Sequence, residues 1–189
     1  TVAVLAQSSK EFAPEWVREV SLELSAQLRK SSRTLRGASL AALKRMAVNP
    51  ACRENMDDET VQKVVQLLLP LILVDQDLHL IGPALVIIGS FANERPQLVL
   101  NEEVIHAYCF VAKMDLSGAA LDALLGSLEI IGKKGAGKDL MRALLAEVGV
   151  NGNPELVGQV IGILLVAGGN SVGVTLTDFE AELKSTSDE

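Results

Sequence analysis

The chain has 189 residues and a formal net charge of −7, with 49% hydrophobic, 22% charged and only 3% aromatic residues. Leu, Val, Ile and Ala must therefore fill its core, which argues against a β-sandwich rich in aromatic and β-branched residues. The acidic balance removes the general electrostatic reason to bind nucleic acid. Two cysteines, Cys52 and Cys109, are too few for a disulfide framework or a zinc site and read as buried thiols of a reducing, intracellular compartment.

Along the chain the pattern is helical throughout. Thr1–Ser9 reads as the end of a helix whose start is missing, so the sequence reads as a piece of a longer chain; no secretory leader pattern is visible. Pro14 opens a helix to about Arg29 with Trp16, Val20, Leu24 and Leu28 on one face. Ser32 caps the next, which runs to about Val48 and stops at Asn49-Pro50. Asp57 or Asp58 opens a helix carrying Val61, Val64, Val65, Leu68, Leu71 and Ile72 at helical spacing, with Pro70 near its end. Asp77 starts a very apolar helix to about Asn93, containing Leu80, Ile81, Leu85, Val86, Ile87 and Ile88; such a helix must be buried on most sides.

Asn101, followed by Glu102 and Glu103, starts a helix to Lys113, since carboxylates suit the positive helix end. Ser117 caps a helix with Leu121, Leu124, Leu125, Leu128 and Ile131. Gly137 or Lys138 opens one with Leu140, Met141, Leu144, Leu145 and Val148. Asn153-Pro154-Glu155 starts another, and a last helix covers Thr177–Lys184 before a polar tail, 185–189, expected to be disordered. No alternating strand pattern stands out. The start signals Ser32, Asp77, Ser117 and Asn153 are spaced by 45, 40 and 36 residues. Two helices per period of that length is the signature of HEAT or armadillo repeats. The expected fold is an all-α HEAT-repeat solenoid, a right-handed superhelix of stacked antiparallel helix pairs. Residues 1–184 form one segment of about four to five repeats. Stacked pairs share a long core and offer an extended surface to a large partner.

Motifs for chemistry are weak. Gly132-Lys133-Lys134-Gly135-Ala136-Gly137-Lys138 fits the first part of a P-loop, but Asp139 stands where Ser or Thr would ligate magnesium, and a helical stripe precedes it where a strand is needed. His106 and Cys109, at i and i+3, lack further metal ligands nearby. Asp57, Asp58 and Glu59 sit at a helix start, where acids are simply stabilising, and Asp75 and Asp77 read as turn and cap residues. Leu156–Val174 is apolar and Gly-rich but reads as repeat helix, not as a membrane span. No catalytic, cofactor or metal site is expected. One basic cluster, Arg29, Lys30, Arg33 and Arg36, is the candidate for meeting an acidic protein surface, with Lys44, Arg45 and Arg53 downstream.

Three stretches carry a family resemblance. They are Leu28-Arg29-Lys30 with Ser32-Arg33-Thr34-Leu35 and Ser39-Leu40-Ala41-Ala42-Leu43; Leu69-Pro70-Leu71-Ile72 with Asp75, Asp77, Leu78 and His79; and Asp115-Leu116-Ser117-Gly118-Ala119-Ala120-Leu121 with Leu124 and Leu125. In order and distance they resemble the C-terminal half of the cullin-associated, neddylation-dissociated (CAND) family, over Leu28–Glu147. The resemblance implies a non-catalytic, cytoplasmic and nuclear factor without cofactors. It would wrap an unneddylated cullin–RING ubiquitin ligase, displace the substrate-receptor module and let receptors exchange. Other repeats, of the same or a companion chain, would adjoin both ends, with neither nucleic acid nor membrane as partner. The alternative reading is another HEAT scaffold or an importin-like transport receptor.

Overall fold

The computed structural model describes residues 2, 12–30, 32–73, 77–149, 155, 158, 159, 162 and 176–187. Among them the chain forms helices and no strand: α1 (Pro14–Gln27), α2 (Arg33–Val48), α3 (Pro50–Glu54), α4 (Asp58–Ile72), α5 (Leu78–Glu94), α6 (Pro96–Val99), α7 (Glu102–Ala112), α8 (Gly118–Lys133), α9 (Gly137–Gly149) and α10 (Leu176–Ser187). Of the expected helix at Thr1–Ser9 only Val2 is described, as helical and half-buried, and most of the segment from Asn153 to Val174 lies outside the described residues. The last helix runs three residues past Lys184, through Ser185 to Ser187.

The helices stack in two layers. α1, α4, α7 and α9 follow one another in one layer, which we call A; α2, α5 and α8 follow one another in the other, B. α1 also packs on α2 and α4 on α5, the paired arrangement of a HEAT solenoid. Local chemistry sets the starts. Side chains of Ser32, Asp57 and Asn101 accept from the backbone N–H of Leu35, Thr60 and Val104 at 3.3, 2.7 and 3.0 Å. Each satisfies one of the amides a helix start leaves unpaired. Ser117 precedes α8 without a side-chain cap, and so does Asp77 before α5.

α5 is the centre of the core. Leu80, Ile81, Leu85, Ile87, Ile88 and Phe91 are buried, together with Gly82, Ala84, Gly89 and Ala92. Only His79, Pro83, Val86, Ser90 and the C-terminal Asn93 and Glu94 keep exposure beyond Leu78. α8 lies closest against it. A Cβ added at Gly82 would stand 3.2 Å from the Ala120 Cα, and one at Gly89 would stand 3.0 Å from the Ser127 Oγ. The Ser127 hydroxyl donates to the Leu85 carbonyl across the interface at 3.0 Å.

The packed stripe of α1 differs from expectation by one position. Val17, Ser21 and Ser25 are buried, while Trp16, Val20 and Leu24 are half-buried. Small serines let α1 approach its neighbours, and the Ser25 hydroxyl is satisfied within the helix by the Ser21 carbonyl at 2.6 Å. Trp16 instead stacks on Phe12, ring centroids 5.5 Å apart.

The glycines of the B layer separate two effects. Gly→Ala in a helix interior gains about 0.5–1 kcal/mol from propensity alone, whereas overpacking costs about 1–3 kcal/mol. Gly126 faces open space and Gly82 faces the α8 backbone. Gly126→Ala is expected to raise the urea midpoint and Gly82→Ala to lower it, by about 1 kcal/mol net. Equal responses of the two variants would show that α5 and α8 are not in close contact.

Candidate interaction surface

The four candidate cations lie at the turn from α1 to α2 and on the first turns of α2, and they divide into two pairs. Arg33 and Arg36 reach across to the residue preceding the next B-layer helix: Arg33 Nη2 is 3.1 Å from Asp77 Oδ1, and Arg36 Nη2 donates to Asp77 Oδ2 at 2.9 Å. Arg33 also lies 3.3 Å from the His79 ring. Arg29 and Lys30 are exposed at the turn, with no described carboxylate in ion-pair range. Sequence proximity suggested one patch of four. Helical rotation and the neighbouring repeat split it, because the guanidiniums face the stacked neighbour.

Asp77 is therefore more than a helix-start residue. α5 does begin immediately after it, but its carboxylate caps no amide and is held by the two guanidiniums of the preceding repeat. Asp77 and Arg36 side chains are only 21% and 24% exposed, so their pair is sheltered from solvent screening; Arg33 at 65% is not.

A second ion-pair cluster closes the opposite ends of α2 and α5. Arg53 of α3 pairs with Glu94 and donates to the Ala47 and Val48 carbonyls at 2.8 and 3.3 Å. Arg95 pairs with Asp58 at 3.2 Å. At the start of α4, the Thr60 backbone N–H, helped by the Thr60 hydroxyl, Arg18 and Lys63, holds the Asp57 carboxyl below the usual carboxylate range. The Lys63 ammonium, helped by Arg18, does the same for Glu59.

The glycine-rich loop is a helix cap. Gly135, at φ +88°, follows α8, with its N–H donating to the Gly132 carbonyl at 3.0 Å and the Ala136 N–H donating to the Ile131 carbonyl at 3.1 Å. That 5→2 and 6→1 pair is a Schellman motif. Lys133 pairs with Glu129, and Lys138 pairs with Asp178 of α10 at 3.0 Å. His106 is exposed and Cys109 fully buried, so their spacing does not bring them to one accessible face. Cys52 is also fully buried, and burial pushes its thiol up to about 11. Burial likewise raises the pKa of Tyr108, whose hydroxyl lies beside Ser127. Among the described residues no three His, Cys, Asp or Glu side chains gather as metal ligands, and no helix is long and apolar enough to cross a membrane.

A recess of about 290 Å³ opens beside the turn between α7 and α8, lined by Met114, Leu116, Leu121 and Leu125. It explains why Leu121 and Leu125, expected in the buried stripe of α8, are half-buried.

The layered helix pairs and their repeat-to-repeat contacts make this an all-α HEAT-repeat solenoid. No family model matches the chain. It is 45% identical over 187 residues, 99% of its length, to Cullin-associated NEDD8-dissociated protein 1, C-terminal part, of Emericella nidulans. Over those 187 residues the chain matches the C-terminal part of a CAND-family protein. It spans 18% of the length of that relative.

Two measurements test the electrostatics. In a double-mutant cycle by urea unfolding, Arg36→Ala and Asp77→Ala are expected to couple by about 1 kcal/mol, and Arg33→Ala with Asp77→Ala by half that or less. Equal coupling would contradict the burial difference. Asp57→Ala is expected to cost about 1 kcal/mol near pH 7, and Asp57→Asn much less, since Asn caps as well. The native Asp57 pKa lies below the unfolded one, so its contribution is present above the unfolded pKa and lost as pH falls through the native value. The gap between wild type and Asp57→Ala should therefore close in acid; a gap constant with pH contradicts the cap.

Proposed function

We propose that the chain is part of a non-catalytic regulatory factor that binds unneddylated cullin–RING ubiquitin ligases and promotes exchange of their substrate-receptor modules. The observation that carries this reading is the 45% identity along 99% of the chain to a protein named as cullin-associated and NEDD8-dissociated. The solenoid supports it, because stacked helix pairs spread many side chains over a long surface suited to a large protein partner. In this reading further HEAT repeats, of the same or a companion chain, adjoin both ends, and the factor works without cofactor in the cytoplasm and nucleus. Arg29, Lys30, Arg33 and Arg36 contribute to the partner-facing surface, with Arg33 and Arg36 also committed to Asp77.

The test is retention of the chain on an immobilised cullin–RING complex, unneddylated and neddylated, followed by release of a labelled adaptor–receptor module. Retention on the unneddylated form, loss on neddylation and faster module release are expected. Equal retention on both forms, or unchanged release in the presence of bound chain, overturns the reading and favours a different HEAT scaffold or an importin-like receptor.

A further inference from the structure

The charges of this solenoid are sorted by layer. α1, α4, α7 and α9 of layer A carry nine carboxylates against four cations. α2, α5 and α8 carry five cations against three carboxylates, and four of those cations (Arg33, Arg36, Lys44 and Arg45) belong to α2, which has no acid at all. A chain of net charge −7 thus places one strongly positive helix among acidic neighbours.

Among Arg33, Arg36 and Lys44, internal pairing leaves positive charge over. Arg33 and Arg36 share a single carboxylate, Asp77, leaving one positive charge over. Lys44 has no described carboxylate in ion-pair range, and neither have Arg29 and Lys30 at the turn leading into α2. By contrast Arg18, Arg53, Lys63 and Arg95 all have acidic partners. Arg33, exposed, and Lys44, half-buried, stand on the same side of α2, eleven residues and so about 16 Å apart. Between them the surface is low: Gly37 faces open space, and Ala41 is exposed with only a methyl group.

We propose that the exposed face of α2 and the turn leading into it, with Arg29 and Lys30 of the turn and Lys44 of the helix as free cations, form a docking surface for an acidic protein segment laid along the helix. The proposal rests on the reading that the chain holds a protein partner, and it adds which face does so and with what chemistry. Charge complementarity selects the occupant, since unpaired cations on and just before a helix without acids attract carboxylates and steer their approach. Protein is favoured over nucleic acid because the flanking layer is acidic and would repel a continuous phosphate backbone.

The test uses the whole chain and three probes. The first is an unneddylated cullin–RING complex, binding the wild type, the triple variant Arg29→Glu/Lys30→Glu/Lys44→Glu, and a control, Lys63→Glu/Lys133→Glu/Lys134→Glu, of equal charge change placed elsewhere. Affinity is expected to fall about tenfold or more for the α2 variant and to stay within about twofold for the control. Circular dichroism melting checks that each variant folds, and Arg29→Gln/Lys30→Gln/Lys44→Gln supplies a milder version. Equal affinities of the two Glu variants overturn the proposal while leaving the cullin reading intact. The second probe is a synthetic alanine-based helical peptide with regularly spaced glutamates, titrated against isotope-labelled chain by NMR. Salt-sensitive shifts are expected to concentrate on α2 even if the cullin complex fails to bind, in which case the cullin reading falls alone. Shifts spread evenly over α2, α4 and α7 overturn the proposal. The third probe is a DNA duplex, where binding stronger than that of the peptide would assign the face to nucleic acid. Salt-dependent self-association of the chain alone, abolished by the triple variant, would place a second copy there instead.

Discussion

Everything in this fold depends on α5 having almost no face that tolerates water. A helix this apolar is stable only when wedged between others, each fully buried Leu, Ile or Phe contributing about 1.5–3 kcal/mol relative to exposure. α2 and α8 cover its flanks within the B layer and α4 covers it from the A layer. The stacking of repeats follows from this requirement, since a single pair such as α4 with α5 would leave both flanks of α5 bare. Gly82 and Gly89 then set how near α8 comes, because any side chain there would hold the two helices apart.

The two flanks of α5 are held by different physics. Toward α8 the contact is close-packed, with backbone nearly touching backbone at Gly82 and one buried hydrogen bond from Ser127 to Leu85. Packing of that kind resists displacement, as van der Waals contact decays steeply with distance. Toward α2 the ends of the helices are clamped by ion pairs, Arg33 and Arg36 with Asp77 at one end and Arg53 with Glu94 at the other. Partly exposed ion pairs are weaker and salt-screened, and they tolerate small rotations better than packed methyl groups do.

Much of this was legible in the sequence because it is written in periodic apolar residues and caps. The stripe of α4, the near-total burial of α5 and the starts at Ser32, Asp57 and Asn101 all follow from local spacing and cap chemistry. What was not legible depends on residues about forty positions apart. Asp77 looks like any helix-start acid until α2 is laid beside α5, and only then does its carboxylate belong to Arg33 and Arg36. The same holds for the candidate surface: adjacency along the chain grouped Arg29, Lys30, Arg33 and Arg36, while stacking committed Arg33 and Arg36 to Asp77 and left Lys44 unpaired farther along α2. The serines of α1 misled for another reason, since small polar residues can be buried where helices approach closely, and the Ser25 hydroxyl bonds within the helix.

The irregular spacing of the repeats arises in both helices and connections. From the first period to the second, helices account for three of the five residues lost and the connection for two; the connections from α2 to α4, from α5 to α7 and from α8 to α9 are nine, seven and three residues long. The first two connections contain the short helices α3 and α6, which periodicity could not announce because each is about one turn long. These insertions also bring the cations of the edge. Arg53 of α3 reaches back to the Ala47 and Val48 carbonyls, acceptors that the end of α2 leaves without intrahelical partners, and pairs with Glu94. Arg95, which precedes α6, pairs with Asp58 at the start of α4. The third connection has no inserted helix and no such arginine, and there the Gly135 Schellman turn satisfies the end of α8 through backbone alone. Connection length and capping chemistry vary together: a long connection can return a side chain to the helix it has left, whereas a three-residue one must close on itself, and glycine is what lets it.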